Sequence, residues 1–84
     1  MKRSEVYTLI DGERDYQDKL GPERTDGRQH TVGDYLLMLD VYVARAKEAW
    51  VANPGDEQCL EIIRKCAGIC VHCMEDWSAP ARKE

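Results

Sequence analysis

The sequence predicts an all-α fold, a short N-terminal helix followed by a long antiparallel helical hairpin, with the protein oligomeric. Three observations lead there. Apolar residues recur at helical spacing through HTVGDYLLMLDVYVARAKEAW, paired stop and start signals fall together at Asn53-Pro54, and the run from Cys66 to Met74 is small or apolar almost without a break. With 84 residues the chain forms a single domain, 1–84, and a chain of this size buries only roughly 60 % of the surface its unfolded form exposes.

The first element is a short helix near residues 11–19, within SEVYTLIDGERDYQDKL, with Gly12 as its weak point. The segment GPERTDGRQH is polar, with two glycines and a proline, and makes residues 20–30 a loop. Thr31 and Asp34 then form a capping box, Thr31 accepting from the Asp34 amide, and a long helix follows over about 32–52. Leu36, Leu39, Val43, Ala46 and Trp50 mark one face of it. Asn53 and Pro54 end that helix and start the next, Asn53 as cap and Pro54 at the first helical position. So short a joint folds the second long helix, about 54–77, back against the first until Ser78-Ala79-Pro80 stops it.

Cys59, Cys66, Cys70 and Cys73 fall within about 60° of one another on the helix wheel, and His72 points to another side. The stripe therefore cannot offer all its ligand types to one ion, and no Cys-x-x-Cys knuckle on a turn exists elsewhere. Intrahelical bridges are out of reach, since Cβ atoms at i and i+4 lie about 5 to 6 Å apart whereas a disulfide needs about 3.8 Å. The cysteines read as small buried hydrophobes with no metal and no cofactor. The helix that carries them is apolar beyond the width one partner helix covers, so neighbouring subunits are expected to cover the rest.

Twelve basic residues stand against sixteen acidic ones, a net charge of −4, with the acids spread along the chain. No basic face is available to displace counterions, which argues against duplex DNA or RNA as a partner. No apolar run of about 18 residues suggests a membrane span, and no signal-peptide pattern is present, so a reduced cytoplasmic setting is expected. Serine occurs only at Ser4 and Ser78, the two histidines lie on different elements, and no Gly-rich phosphate loop appears. The chain does not read as an enzyme. What remains is a polar cluster before the first long helix, Tyr16, Gln17, Arg28, Gln29, His30 and Thr31, where an aromatic face and cations meet a helix start that favours anions.

The combination LIDGERDYQ, DGRQHTVGDYLLML and IRKCAGICVHCMEDWSAPAR resembles the phage anti-CBASS cyclic-nucleotide sponges, small helical-hairpin proteins related to the hairpin part of Thoeris anti-defence proteins. The likeness covers roughly Val6 to Arg82. It implies a homohexamer, a trimer of dimers, that sequesters cyclic dinucleotides such as cGAMP in the host bacterial cytoplasm and keeps the immune effector silent. It implies that Tyr16 stacks a base and that Thr31 bonds phosphate or base. The family's lysine two residues before that threonine is Gln29 here, leaving Arg28 or His30 to supply charge. For the second pocket that relatives use for cyclic trinucleotides, Gln17 and Arg64 are the nearest matches, with Lys65 beside them. The alternative is a phage helical adaptor that binds protein and ignores nucleotides.

Overall fold

The computed structural model describes residues 1–20, 28–52 and 55–83. Over them it is all-helical, with α1 Arg3–Lys19, α2 Val32–Ala52 and α3 Glu57–Trp77, and no strand among the described residues.

Helix α1 begins at Arg3, eight residues before the start near Asp11 that local signals suggest. The Lys2 amide donates to Glu5 Oε1 at 3.1 Å and fixes the first turn. Gly12 sits in the middle without breaking the helix. A Gly costs about 1 kcal/mol against Ala, and contacts made by the neighbouring turns offset it, because Glu13 and Arg14 are buried beside it.

At the start of α2 the capping box forms as the sequence predicts. The Asp34 amide donates to Thr31 Oγ1 at 3.1 Å, and the Thr31 amide donates to Asp34 Oδ2 at 2.8 Å. The helix ends at Ala52. The cap and first-turn roles expected of Asn53 and Pro54 lie outside the described residues, as does the 21–27 part of the loop. Helix α3 starts at Glu57, with Asp56 at the cap position and Gly55 at φ 146°, a left-handed value that favours glycine. It stops where Ser78 turns to φ 60° and its amide returns to the Met74 carbonyl at 2.8 Å.

Both α1 and α2 pack on α3. The contact with α2 joins the first turn of α2 to the last turn of α3. There the Tyr35 hydroxyl donates to Asp76 Oδ2, and Trp77 Nε1 donates to the His30 carbonyl at 2.8 Å. Near the other end, Val43, Ala46 and Trp50 share a groove with Cys59, Ile63 and Cys66. Buried apolar side chains among the described residues are only Tyr35, Ala46 and Ile69.

The contact with α1 is made differently. Arg14, 8 % exposed, holds Glu75 through Nε at 2.8 Å and Nη2 at 3.3 Å, and Asp18 through Nη1 at 2.7 Å. Glu13, 7 % exposed, accepts from Arg64 Nε at 3.0 Å, and Gln17 Nε2 donates to the Lys65 carbonyl at 3.2 Å. Charge-assisted bonds of this kind satisfy groups that burial alone would penalise. Burial opposes the Arg14 charge, but the bonds from Asp18 and Glu75 outweigh it and raise the group's pKa. Gly68 of α3 makes room for this joint, since a Cβ there would lie 2.7 Å from Gln17 Nε2.

Candidate functional site

Where α1 and α2 stand on either side of α3, a trough of about 370 Å³ remains. Helix α1 contributes Glu13, Tyr16 and Gln17, with Leu20 just past its end, α2 contributes Tyr35, Met38 and Tyr42, and the floor is Lys65, Ile69 and His72, with His30 also on the lining. Tyr35, Met38 and Tyr42 follow one another at three and four residues, as do Lys65, Ile69 and His72, so each helix presents one stripe to the space.

The buried end is an aromatic and acidic cluster. Tyr35 is 1 % exposed, and its ring meets His30 edge-on at 5.5 Å and His72 at 5.3 Å. His30 Nδ1 lies 3.7 Å from Asp34, and His72 Nε2 lies 3.6 Å from Asp76. The Tyr35 hydroxyl, aided by Gln29 and then by nearby His72 and Arg14, holds the Asp76 carboxyl below the usual carboxylate range against the opposing effect of burial. The open end is different in kind. Tyr16 is 56 % exposed, and Lys65 is exposed beside it. On the α2 wall the Arg45 guanidinium lies 4.9 Å over the Tyr42 ring.

Four residues that the sequence nominates, Tyr16, Gln17, His30 and Lys65, are therefore brought to one depression. Tyr16 and Lys65 also border an adjoining cleft of about 480 Å³ that includes Arg64 and Gly12. Arg64 there holds Glu13, and Gln17 is engaged with the Lys65 carbonyl and with Glu13, so both nominated second-pocket residues help dock α1. Gln29 donates to the Asp76 carbonyl at 3.3 Å and Thr31 is engaged in its cap, while Arg28 is exposed. None of these three lines the trough. Part of what the α2 N-terminus could offer an anion is already taken by Asp34.

Sequence reasoning missed Tyr35, Tyr42, Met38 and His72 as trough residues. The periodic signal was present, but it reads as plain helix packing until the position of α1 is known. The cysteines are free thiols, all half-buried, and burial pushes the Cys66 and Cys70 thiols up, which keeps them protonated.

Compared with family models, curated proteins and solved structures, the chain matches none.

Proposed function

We propose that this protein is a non-catalytic sponge for cyclic oligonucleotide second messengers of bacterial anti-phage immunity, withholding cyclic dinucleotides, and in a second mode cyclic trinucleotides, from their effector. The observation that carries this reading is the meeting of Tyr16, Gln17, His30 and Lys65 around one trough. Tyr16, more than half exposed, offers an aromatic ring for a base, worth about 1 to 3 kcal/mol per stacked base. Lys65 supplies a cation for phosphate, and the His30 ring, the tyrosine and the amide groups can bond phosphate or a base edge.

In this reading α2 and α3 form an antiparallel hairpin, supported by the Tyr35–Asp76 contact at one end and the Trp50–Cys59 groove at the other. The trough is at the small end of ligand pockets, which run about 300 to 1,000 Å³. It suits one nucleotide half of a cyclic dinucleotide. A symmetric guest then calls for two troughs facing each other in a homo-oligomer, a hexamer in the full reading, each residue being used twice.

Isothermal titration against a panel of cyclic di- and trinucleotides tests this. Binding is expected for at least one cyclic dinucleotide, weakened at least tenfold by Tyr16→Ala, and heat denaturation should return the nucleotide chemically intact. No heat and no thermal shift with any member of the panel would overturn it.

A further inference from the structure

Helix α3 divides sharply around its circumference. At 100° per residue, Glu57, Glu61, Arg64, Lys65, Glu75 and Asp76 all fall in one sector of about 120°. Helix α1 takes its ion pairs from that sector. Helix α2 lies along Ile69, the Asp76 edge and the line of Cys59 and Cys66. The side left between the two helices carries no charge, and its large side chains are exposed.

On that open side Leu60, Ile63, Ala67, Cys70, Met74 and Trp77 follow one another at intervals of three, four, three, four and three. That is an unbroken heptad seam, the pattern with which one helix packs against another. Its four large members are 57, 50, 48 and 46 % exposed (Leu60, Ile63, Met74 and Trp77), so although Trp77 reaches the His30 carbonyl and Ile63 edges the α2 groove, α1 and α2 leave about half of each uncovered. Apolar grooves continue the surface to either side. One, of about 530 Å³, lies against Val6 and Leu9 of α1, and the other, of about 490 Å³, lies against Val43 and Trp50 of α2.

We infer that the occupant is the same seam of a second copy, packed antiparallel about a two-fold axis between Ala67 and Cys70. Two features select a copy over another protein. An isologous interface must be self-complementary, and this seam reads alike from either end: small at its centre (Ala67, Cys70) and large on both sides (Leu60 and Ile63 before it, Met74 and Trp77 after it). Folding it on a dyad sets Ala67 opposite the partner's Cys70, Ile63 opposite the partner's Met74 and Leu60 opposite the partner's Trp77, with the helices closest at the middle. The second feature is charge. A chain of net −4 repels its copies except where they meet on a face that carries none. A stable dimer needs about 800 Å² from each partner. The seam runs over 18 residues, Leu60 to Trp77, about 26 Å of helix, and the flanking grooves widen it toward that area.

This inference rests on the self-association in the functional reading, not on its nucleotide. Sedimentation velocity at about 10 to 100 μM, with circular dichroism to confirm helicity, separates the two. Wild type is expected as a dimer or a multiple of one. Ile63→Glu and, independently, Met74→Glu should each halve the assembly or reduce it to protomers. Leu37→Glu, on an exposed α2 position away from the seam, should leave it unchanged. A wild-type assembly that survives both seam variants overturns the seam and leaves oligomerisation standing, whereas a monomeric wild type overturns both.

Discussion

Removing the Tyr35 hydroxyl tests the tie between the start of α2 and the end of α3. Tyr35→Phe keeps the most buried aromatic ring of the chain and deletes only the donor that Asp76 receives. A hydrogen bond to a charged group contributes about 1.5 to 3 kcal/mol. For a domain of this size each kcal/mol moves Tm by about 4 to 8 °C, so the variant should melt roughly 6 to 24 °C lower at pH 7. The sign with pH follows from Asp76. Its folded carboxyl titrates below the unfolded value of about 4, so its contribution is present above that value and disappears as pH falls through the lower, folded one. The gap between wild type and Tyr35→Phe should therefore narrow in urea melts taken from pH 7 down toward pH 3. It should also narrow at pH 7 when Asp76→Asn is already present. A loss under about 0.5 kcal/mol, the level of an ordinary surface change, would refute the reasoning. So would a loss that Asp76→Asn leaves undiminished.

Two glycines should respond with opposite signs. Gly12→Ala meets nothing within 4 Å and should gain up to about 1 kcal/mol of helix propensity in denaturant melts. Gly68→Ala puts a Cβ 2.7 Å from Gln17 Nε2 and 3.0 Å from Glu13 Cγ, and the amide must leave two hydrogen bonds worth about 0.5 to 1.5 kcal/mol each, a net loss. Thr31→Ala deletes the side-chain half of the capping box and should cost about 1 kcal/mol by thermal melting, whether or not a ligand is present. Arg14→Ala removes the bonds to Glu75 and Asp18 and should speed hydrogen exchange of α1 amides while the centres of α2 and α3 keep their protection.

The parts legible in the sequence are those written locally. The Thr31–Asp34 box and the start of α2 needed only neighbouring residues, and the end of α3 needed only the Ser78-Ala79-Pro80 stop. Helix α1 was harder for a physical reason. Its inward face carries Val6 and Ile10 and then Glu13, Arg14 and Gln17, so its apolar stripe ends halfway, and what replaces it is a set of partners 48 to 61 residues away. No local pattern announces that Arg14 will find Glu75. The site divides along the same line. Tyr16 and His30 stand out by residue type, whereas Tyr35 and His72 become site residues only once α1 forms the opposite wall.

The circumference of α3 also constrains how trough and assembly relate. Taking Cys59 as the origin of the wheel, the seam centres near about 50°, the α1 ion pairs near about 150°, and the trough floor of Lys65, Ile69 and His72 near about 245°. Seam and trough therefore face nearly opposite ways, and a dimer made through the seam does not bring two troughs together. A guest held by two troughs requires a second kind of contact, around the trough mouth, where Leu20 is 68 % and Tyr16 56 % exposed. Two distinct self-complementary contacts on one chain close into an assembly larger than a dimer. The seam variants should then leave behind units that still pair their troughs. If nucleotide binding disappears together with the seam while helicity is retained, the two surfaces are not independent, and this division of α3 is wrong.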